Sequence, residues 1–512
     1  MTKFKVVLYF CLLINSITPG FCLELPSVFS DHMVLQQGKP IRIWGKAEPK
    51  QIVKVSYANQ LKISKANKYG EWQVVLDAME GGYQAYKLVI TTSNNQLTLK
   101  DILIGEVWLA AGQSNMRFEV AKTIDANSEL SKSSNNSIRL LDYNGDDLYP
   151  DDVIFDIDKL SKLNSENYLH TEGWKLSTQK NNASFSAVAF YFAAKLQKQL
   201  DVPVGVINVS VGGTMTENFI SKSTLASTPE LSPLAEHWLT HIMPWCKERA
   251  LLNLSAWIEH FPEKPLPHHP YEPGFMFDSG IKPLSPFQIK GVIWYQGESN
   301  APITENQRLD SYFSKELNKL KLKTMVKEWR QIWQEPSLPF NIVQLPGMNR
   351  PWAEYRQLQS EISNELSNVS LVVSYDQGDA ADVHPKRKRI LSERIARLTL
   401  YKIYAKKQHY IDTNIHRVDF RNKQVVMSLT DPIFINKQLS NSIIGVEIGD
   451  ENGKFYRAQA MLNGNSLVVW NEHVSEPKAV RYAWFDDPKD KANLVTKLSD
   501  PIAPFLYFKH LK

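Results

Sequence analysis

The sequence predicts an α/β fold: a parallel sheet with helices on both faces, flanked by an N-terminal and a C-terminal β domain. Three observations predict it. Between residue 101 and about 405, short apolar strand-like runs alternate with helix-like stretches, the pattern of a parallel sheet covered on both sides. Before and after that region the chain reads as short β-rich segments broken by Gly, Pro, Asn and Lys clusters. The 512 residues also exceed what one core holds, so two or three domains are expected.

The first 22 residues read as a secretory signal: Lys3 and Lys5, a short apolar stretch from Val6 to Ile14, then a break at Pro19 and Gly20. The apolar run is too short for a membrane span. Export to the periplasm or to the medium is therefore expected. Lipid attachment at Cys22 is the lesser alternative, because Thr18-Pro19-Gly20-Phe21 lacks the Leu and small residues of that motif. Residues 23–100 then hold strand segments at Ile41–Gly45, Ile52–Tyr57, Trp72–Leu76 and Tyr86–Ile90, spaced as in a small antiparallel sandwich.

The 101–405 region opens with the run Ile102–Ala111, which ends in Gly112. A helix is predicted over Ser186–Leu200. Strands follow at Val204–Val211, Lys290–Gly297, Phe340–Leu345 and Val369–Tyr375. Ligands of such sheets bind at the carboxyl ends of strands. The stretch 221–273, rich in Pro, His and Trp, reads as an insertion lying over the site. Residues 406–512 return to strands, among them Gln424–Leu429, Ile443–Ile448 and Ser466–Trp470.

Composition narrows the function. Apolar residues make up 43% and charged residues 22%, which excludes disorder as the default. A net charge of +5 without a dominant Lys/Arg block gives no support for nucleic-acid binding. The run Lys386-Arg387-Lys388-Arg389 reads as a solvated helix start. Of three cysteines, Cys11 lies within the signal, so Cys22 and Cys246 allow at most one disulfide. His237 and His241 sit four apart with Cys246 nearby, but no further ligand follows at metal spacing, and neither a metal nor a cofactor is expected. Oligomeric state is not specified by any of these features.

Four motifs carry chemistry. Gly112-Gln113-Ser114-Asn115-Met116 places a hydroxyl at a strand-to-helix turn, where backbone N–H groups favour developing negative charge. Gly212-Gly213-Thr214 lets backbone approach a ligand. Trp294-Tyr295-Gln296-Gly297-Glu298-Ser299-Asn300 sends an amide and a carboxylate off one strand end. Asp382-Val383-His384-Pro385 offers an imidazole with a nearby carboxylate, and the His-Pro pair reads as a helix start. Each alone is also an ordinary turn.

In this order and on one α/β region, the motifs resemble the SGNH hydrolase superfamily, and more narrowly the sialate O-acetylesterase family with its acetylxylan-esterase relatives. The resemblance extends over nearly the whole mature chain: Leu25–Gln36, Gly105–Met116, Pro283–Ala301, Ala479–Pro488 and Ala492–Leu494. It implies a serine esterase acting on an O-acetylated carbohydrate, foremost a sialic acid. Ser114 matches the nucleophile and His384 the general base. The Ser114 and Gly213 N–H groups and the Gln296 amide match the oxyanion hole. For the third triad member Asp382 ranks first and Glu298 second, with Asp379 a further candidate, because Ala381 stands where the superfamily often has its Asp. Gln344, Trp352 and Arg356 fall in a stretch like the family's Gln-Leu-Pro block, and Arg356 suits a substrate carboxylate; a structural ion pair is its other reading. The segments Met215–Phe219 and Phe277–Lys282 depart from the family pattern and are expected to border the pocket. Two other functions stay open on these residues: the same machinery acting on acetylxylan or another plant glycan, and a non-catalytic glycan-binding protein.

Overall fold

A computed structural model of the protein describes residues 23–145, 153–309, 313–406 and 415–509. The expected signal segment, Cys22 included, lies outside the described residues.

One long strand organises the fold. Gln96–Gly112 spans 17 residues. Its first part pairs antiparallel with Gly82–Thr91 and parallel with Val34–Gln36. Its second part runs between the parallel strands Val204–Ser210 and Gly291–Tyr295. The sheet continues outward through Phe340–Val343 to Val369–Val372 on one side. On the other it passes through Asn135–Tyr143 to Lys175–Ser177, which pairs antiparallel at the edge. The central sheet is thus mixed, parallel except where the N-terminal strands and this edge join it. The expected boundary between residues 100 and 101 falls inside the long strand, which belongs to both units.

The strand Gly291–Tyr295 shows why these runs carry no polar alternation. All five residues are buried. Val292 and Trp294 enter one apolar cluster, with Phe219, Trp329 and Phe340. Ile293 and Tyr295 enter the other, with Phe192, Leu196 and Ile395. Successive side chains point to opposite faces, and helices cover both. The helices Ala187–Leu200 and Lys388–Lys402 supply the second cluster. Lys315–Ile332 and Ala353–Glu365 supply the first. Ser186 caps the predicted helix by accepting from the Ala189 N–H, and the helix ends at Asp201 in the left-handed region.

The flanking units are β-structured. Ile41–Lys46 pairs with Glu71–Leu76, whose strict alternation of exposed and buried residues marks a sheet with one solvated face. The C-terminal part forms two four-stranded antiparallel sheets around Val425, Met427, Ile448, Val469 and Val480. The stretch 221–273 is largely helical, with Lys222–Ser227, Ser232–Glu236, Pro244–Asn253 and Ser255–His260. No helix among the described residues is long and apolar enough to cross a membrane.

Candidate active site

Ser114 opens the short helix Ser114–Arg117, directly beyond the end of the central strand. His384 Nε2 lies 2.7 Å from Ser114 Oγ. This is the geometry of a hydroxyl nucleophile with its base. The imidazole stacks on Phe118 at 6.4 Å between centroids. Burial holds its pKa below the ordinary value. The positive charges of Lys388, Arg350 and Lys122 act in the same direction, and Asp382 opposes them. A neutral ring, able to accept the serine proton, is thereby favoured at neutral pH. Pro385 does not begin a helix as the sequence suggested. Turns carry residues 382–387, and the helix starts at Lys388 with Arg387 at its cap.

Two backbone donors lie in the turns that follow the strands ending at Gly112 and Ser210. The N–H groups of Ser114 and Gly213 have no hydrogen-bond acceptor among the described residues. Gly213 adopts φ +78, and a Cβ there would meet the Tyr271 hydroxyl at 2.2 Å. Trp245 closes on the same position, and Cys246 Sγ sits 3.8 Å from the Gly213 carbonyl oxygen. The 221–273 stretch therefore packs directly against this loop.

The Gln296 amide is placed differently from the expectation. It is buried, and its Nε2 donates to Asn300 Oδ1 at 2.8 Å, with Gln113 Oε1 and the Thr214 carbonyl oxygen each at 3.2 Å. Its Oε1 accepts from the Thr216 hydroxyl at 2.7 Å. Both amide protons are taken by protein acceptors, which removes Gln296 from the oxyanion donors in this geometry. The same network runs on through Asn300 Nδ2 to Glu217, which pairs with Lys321 at 3.1 Å, both fully buried. Met215–Phe219, expected at the pocket border, is wholly buried within this network. Of the other expected border segment, Asp278 is partly exposed while Ser279, Gly280 and Ile281 are buried.

The acid candidates separate by distance. Asp382 Oδ1 lies 4.0 Å from His384 Nδ1, beyond hydrogen-bond range, and accepts the backbone N–H of His384 at 2.8 Å. Asp379 accepts the N–H groups of Ala381 and Asp382 and so shapes the preceding turn. Glu298 is buried, and burial raises its pKa. Its Oε1 accepts from Asn115 Nδ2 at 2.5 Å, while Oε2 has no hydrogen-bond partner among the described residues.

Asn115 was not singled out by its sequence position, yet it ties the site together. The same Nδ2 donates to the Val383 carbonyl oxygen at 2.8 Å, and its Oδ1 accepts from Lys388 Nζ at 2.5 Å. The residue after Ser114 is thus fastened to the residue before His384. Lys388, expected as a solvated helix start, is buried, over the rings of Phe118 and Tyr295 at 5.0 and 5.3 Å. Burial pushes its ammonium down to about 7. The available signal was its closeness in the chain to His384, four residues before it.

Arg356 and Gln344 do not reach the site. Arg356 is fully buried and donates to the carbonyl oxygens of Pro346 and Asp486 at 3.1 Å each, and of Phe485. It joins the α/β core to the C-terminal part, and burial pushes its pKa down to about 10. Gln344 is equally buried, with its amide on the Arg356 carbonyl oxygen at 3.1 Å. Among the described residues, no cluster of His, Cys, Asp and Glu is arranged to hold a metal ion.

Comparison with known proteins places the chain among carbohydrate esterases. A family model described as carbohydrate esterase, sialic acid-specific acetylesterase, matches residues 275–400, which contain Glu298 and His384. The sialate O-acetylesterase of Mus musculus is 25% identical over 430 residues, covering 73% of this chain and 72% of that protein. The sialate O-acetylesterase of Homo sapiens is 25% identical over 415 residues, covering 73% and 70%. The crystal structure of a carbohydrate acetylesterase from Xanthomonas citri superposes with a TM-score of 0.76 at 26% identity, covering 95% of this chain and 99% of that one. With a serine and a histidine joined at the strand ends of the shared fold, the chain is a carbohydrate O-acetylesterase, similar over most of its length to the sialate O-acetylesterases.

Proposed function

We propose that this esterase removes acetyl groups from O-acetylated sialic acids through an acetyl-serine intermediate, on an SGNH-hydrolase-like core. The 2.7 Å contact between Ser114 Oγ and His384 Nε2 is the observation that carries the mechanism. Ser114 Oγ attacks the acetyl carbonyl carbon as its proton passes to His384 Nε2. The oxyanion that forms is met by the N–H groups of Ser114 and Gly213. Collapse breaks the bond to the sugar oxygen, which takes the proton from His384. Water activated by the same ring then attacks the acetyl-serine, acetate leaves, and Ser114 recovers its proton. Asp382 orients His384, and Glu298 serves through Asn115. Residues 23–100, 101–405 and 406–512 act as a β unit, the catalytic unit and a second β unit, in a protein exported through residues 1–22.

The mouse and human relatives are sialate O-acetylesterases, which supports the choice of sugar. The test is acetate release by the mature protein from O-acetylated sialic acid and from acetylxylan, side by side. Release mainly from the sialic acid, abolished in a folded Ser114→Ala variant, is the expected result. Preference for acetylxylan refutes the substrate, and full activity without the Ser114 hydroxyl refutes the mechanism.

A further inference from the structure

Arg356 is fastened away from the site, which leaves open what would read the carboxylate of a sugar acid. The loop that begins where the Phe340–Val343 strand ends supplies an answer. The Asn349 N–H donates to the Ala380 carbonyl oxygen at 3.1 Å, four residues before His384. The Met348 N–H donates to the Asp486 carbonyl oxygen at 3.3 Å. Gly347 and Gly378 touch through their backbones, since a Cβ on Gly378 would lie 2.2 Å from the Gly347 carbonyl oxygen. The loop and the turn that carries the base are therefore one packed body.

Arg350 stands on this loop. It is half-buried, with its guanidinium 5.6 Å from the centroid of Trp352. Trp352 is itself fixed, fully buried with Nε1 donating to the Pro302 carbonyl oxygen at 3.1 Å. The other cations that act on His384 are engaged: Lys388 donates to Asn115, and Lys122 pairs with Glu119 at 3.1 Å. Arg350 has no carboxylate within ion-pairing distance and no hydrogen bond from its guanidinium among the described residues. Its charge nonetheless reaches both His384 and Glu298. A guanidinium held partly out of water without a counter-ion is uncomfortable. Its planar fork, steadied on an indole, is arranged for a carboxylate.

We infer that Arg350, resting on Trp352 beside the Ser114–His384 pair, forms the subsite that binds the carboxylate of a sugar-acid substrate. The inference rests on the sialic acid reading above. It makes Arg350 a specificity-determining residue whose contribution lies in substrate binding.

The experiment compares kcat/KM for an O-acetylated N-acetylneuraminic acid and for its carboxyl methyl ester, in wild type, Arg350→Gln and Arg350→Lys. A charge-assisted pair of this kind is worth roughly 10- to 100-fold. The wild type is expected to favour the free acid by that factor. In Arg350→Gln the loss on the acid should exceed the loss on the methyl ester at least tenfold, mainly through KM. Arg350→Lys should recover part of the preference. A wild type that cleaves acid and ester equally overturns the subsite. So does an Arg350→Gln variant that keeps the wild-type preference, since another group then reads the carboxylate while the sialic acid reading stands. A wild type that cleaves neither, yet deacetylates xylan, removes the sialic acid reading and the inference with it.

Discussion

Replacing Lys388 with Met tests the buried cation directly. The ammonium is fully within the protein, and burial pushes it from its ordinary 10.5 down to about 7. Each unit corresponds to about 1.4 kcal/mol, so keeping this lysine charged costs the fold on the order of 4–5 kcal/mol below pH 7. Between about pH 7 and 10.5 the unfolded chain holds a proton on Lys388 that the folded chain has released. Stability contributed by this group therefore climbs with pH through that window, and is lost as pH falls to the folded value. Lys388→Met removes the penalty but leaves Asn115 Oδ1 without its donor, at about 1–3 kcal/mol. Urea unfolding followed by tryptophan fluorescence at several pH values between 6 and 10 gives both curves. The wild type should start less stable than the variant or level with it, then overtake it, the difference moving by several kcal/mol. Curves that stay parallel within about 1 kcal/mol over the whole range would refute the buried-charge account. Lys388 is also one of the charges that holds the His384 pKa down. The acid limb of kcat/KM should accordingly move to higher pH in the same variant.

Gly213→Ala keeps the backbone N–H but must displace it to seat the methyl group, and should lower kcat about 100- to 1000-fold, the usual effect of losing one oxyanion donor. The new methyl group would collide with the Tyr271 hydroxyl at 2.2 Å in a left-handed backbone; Tyr271→Phe in the same background should return part of the rate in an acetate-release assay. Asp382→Asn should cost at least 100-fold in kcat, and Glu298→Gln under tenfold, because the amide still accepts from Asn115; the opposite ranking would reverse the roles of the two acids. Arg356→Met should lower stability by about 2–4 kcal/mol through the loss of three carbonyl contacts, read as a lowered melting temperature with KM unchanged.

The strands and the serine–histidine pair were legible because each announces itself locally. A run such as Val204–Ser210, buried throughout and ending in glycines, has few other ways to fold. Ser114 and His384 sit in turns whose chemistry is local, 270 positions apart, and the sheet brings them to 2.7 Å. What the sequence could not convey was direction. Arg356 and Gln296 have the right chemistry and the right neighbours in the chain, but their polar atoms turn inward to carbonyl and amide partners that come from distant segments. Lys388 lies in a basic run that reads as solvated, and only the packing of its helix against Tyr295 and Phe118 buries it. The residue 100 boundary is a feature of composition alone. The change from β to α/β composition occurs there, yet the strand runs through it, because one face change does not require a chain break.

The same inward turning bears on which carboxylate serves the base. Glu298 leaves the strand end that the motif made prominent, but one of its oxygens is taken by Asn115, and burial favours its neutral form. A neutral acid stabilises an imidazolium poorly, whatever its distance. Asp382 is half-exposed and stands 4.0 Å from Nδ1 with one oxygen anchored on the His384 N–H. That anchor fixes the carboxylate beside the ring while leaving the gap to be closed. Catalytic hydrogen bonds that are long in a free enzyme commonly tighten when substrate is bound. Here the closing element need only be a small rotation of one side chain in a turn already held by Asp379. Glu298 and Lys388 then have a different task, shared through Asn115: to hold the serine turn and the histidine turn at one fixed separation while that small movement takes place.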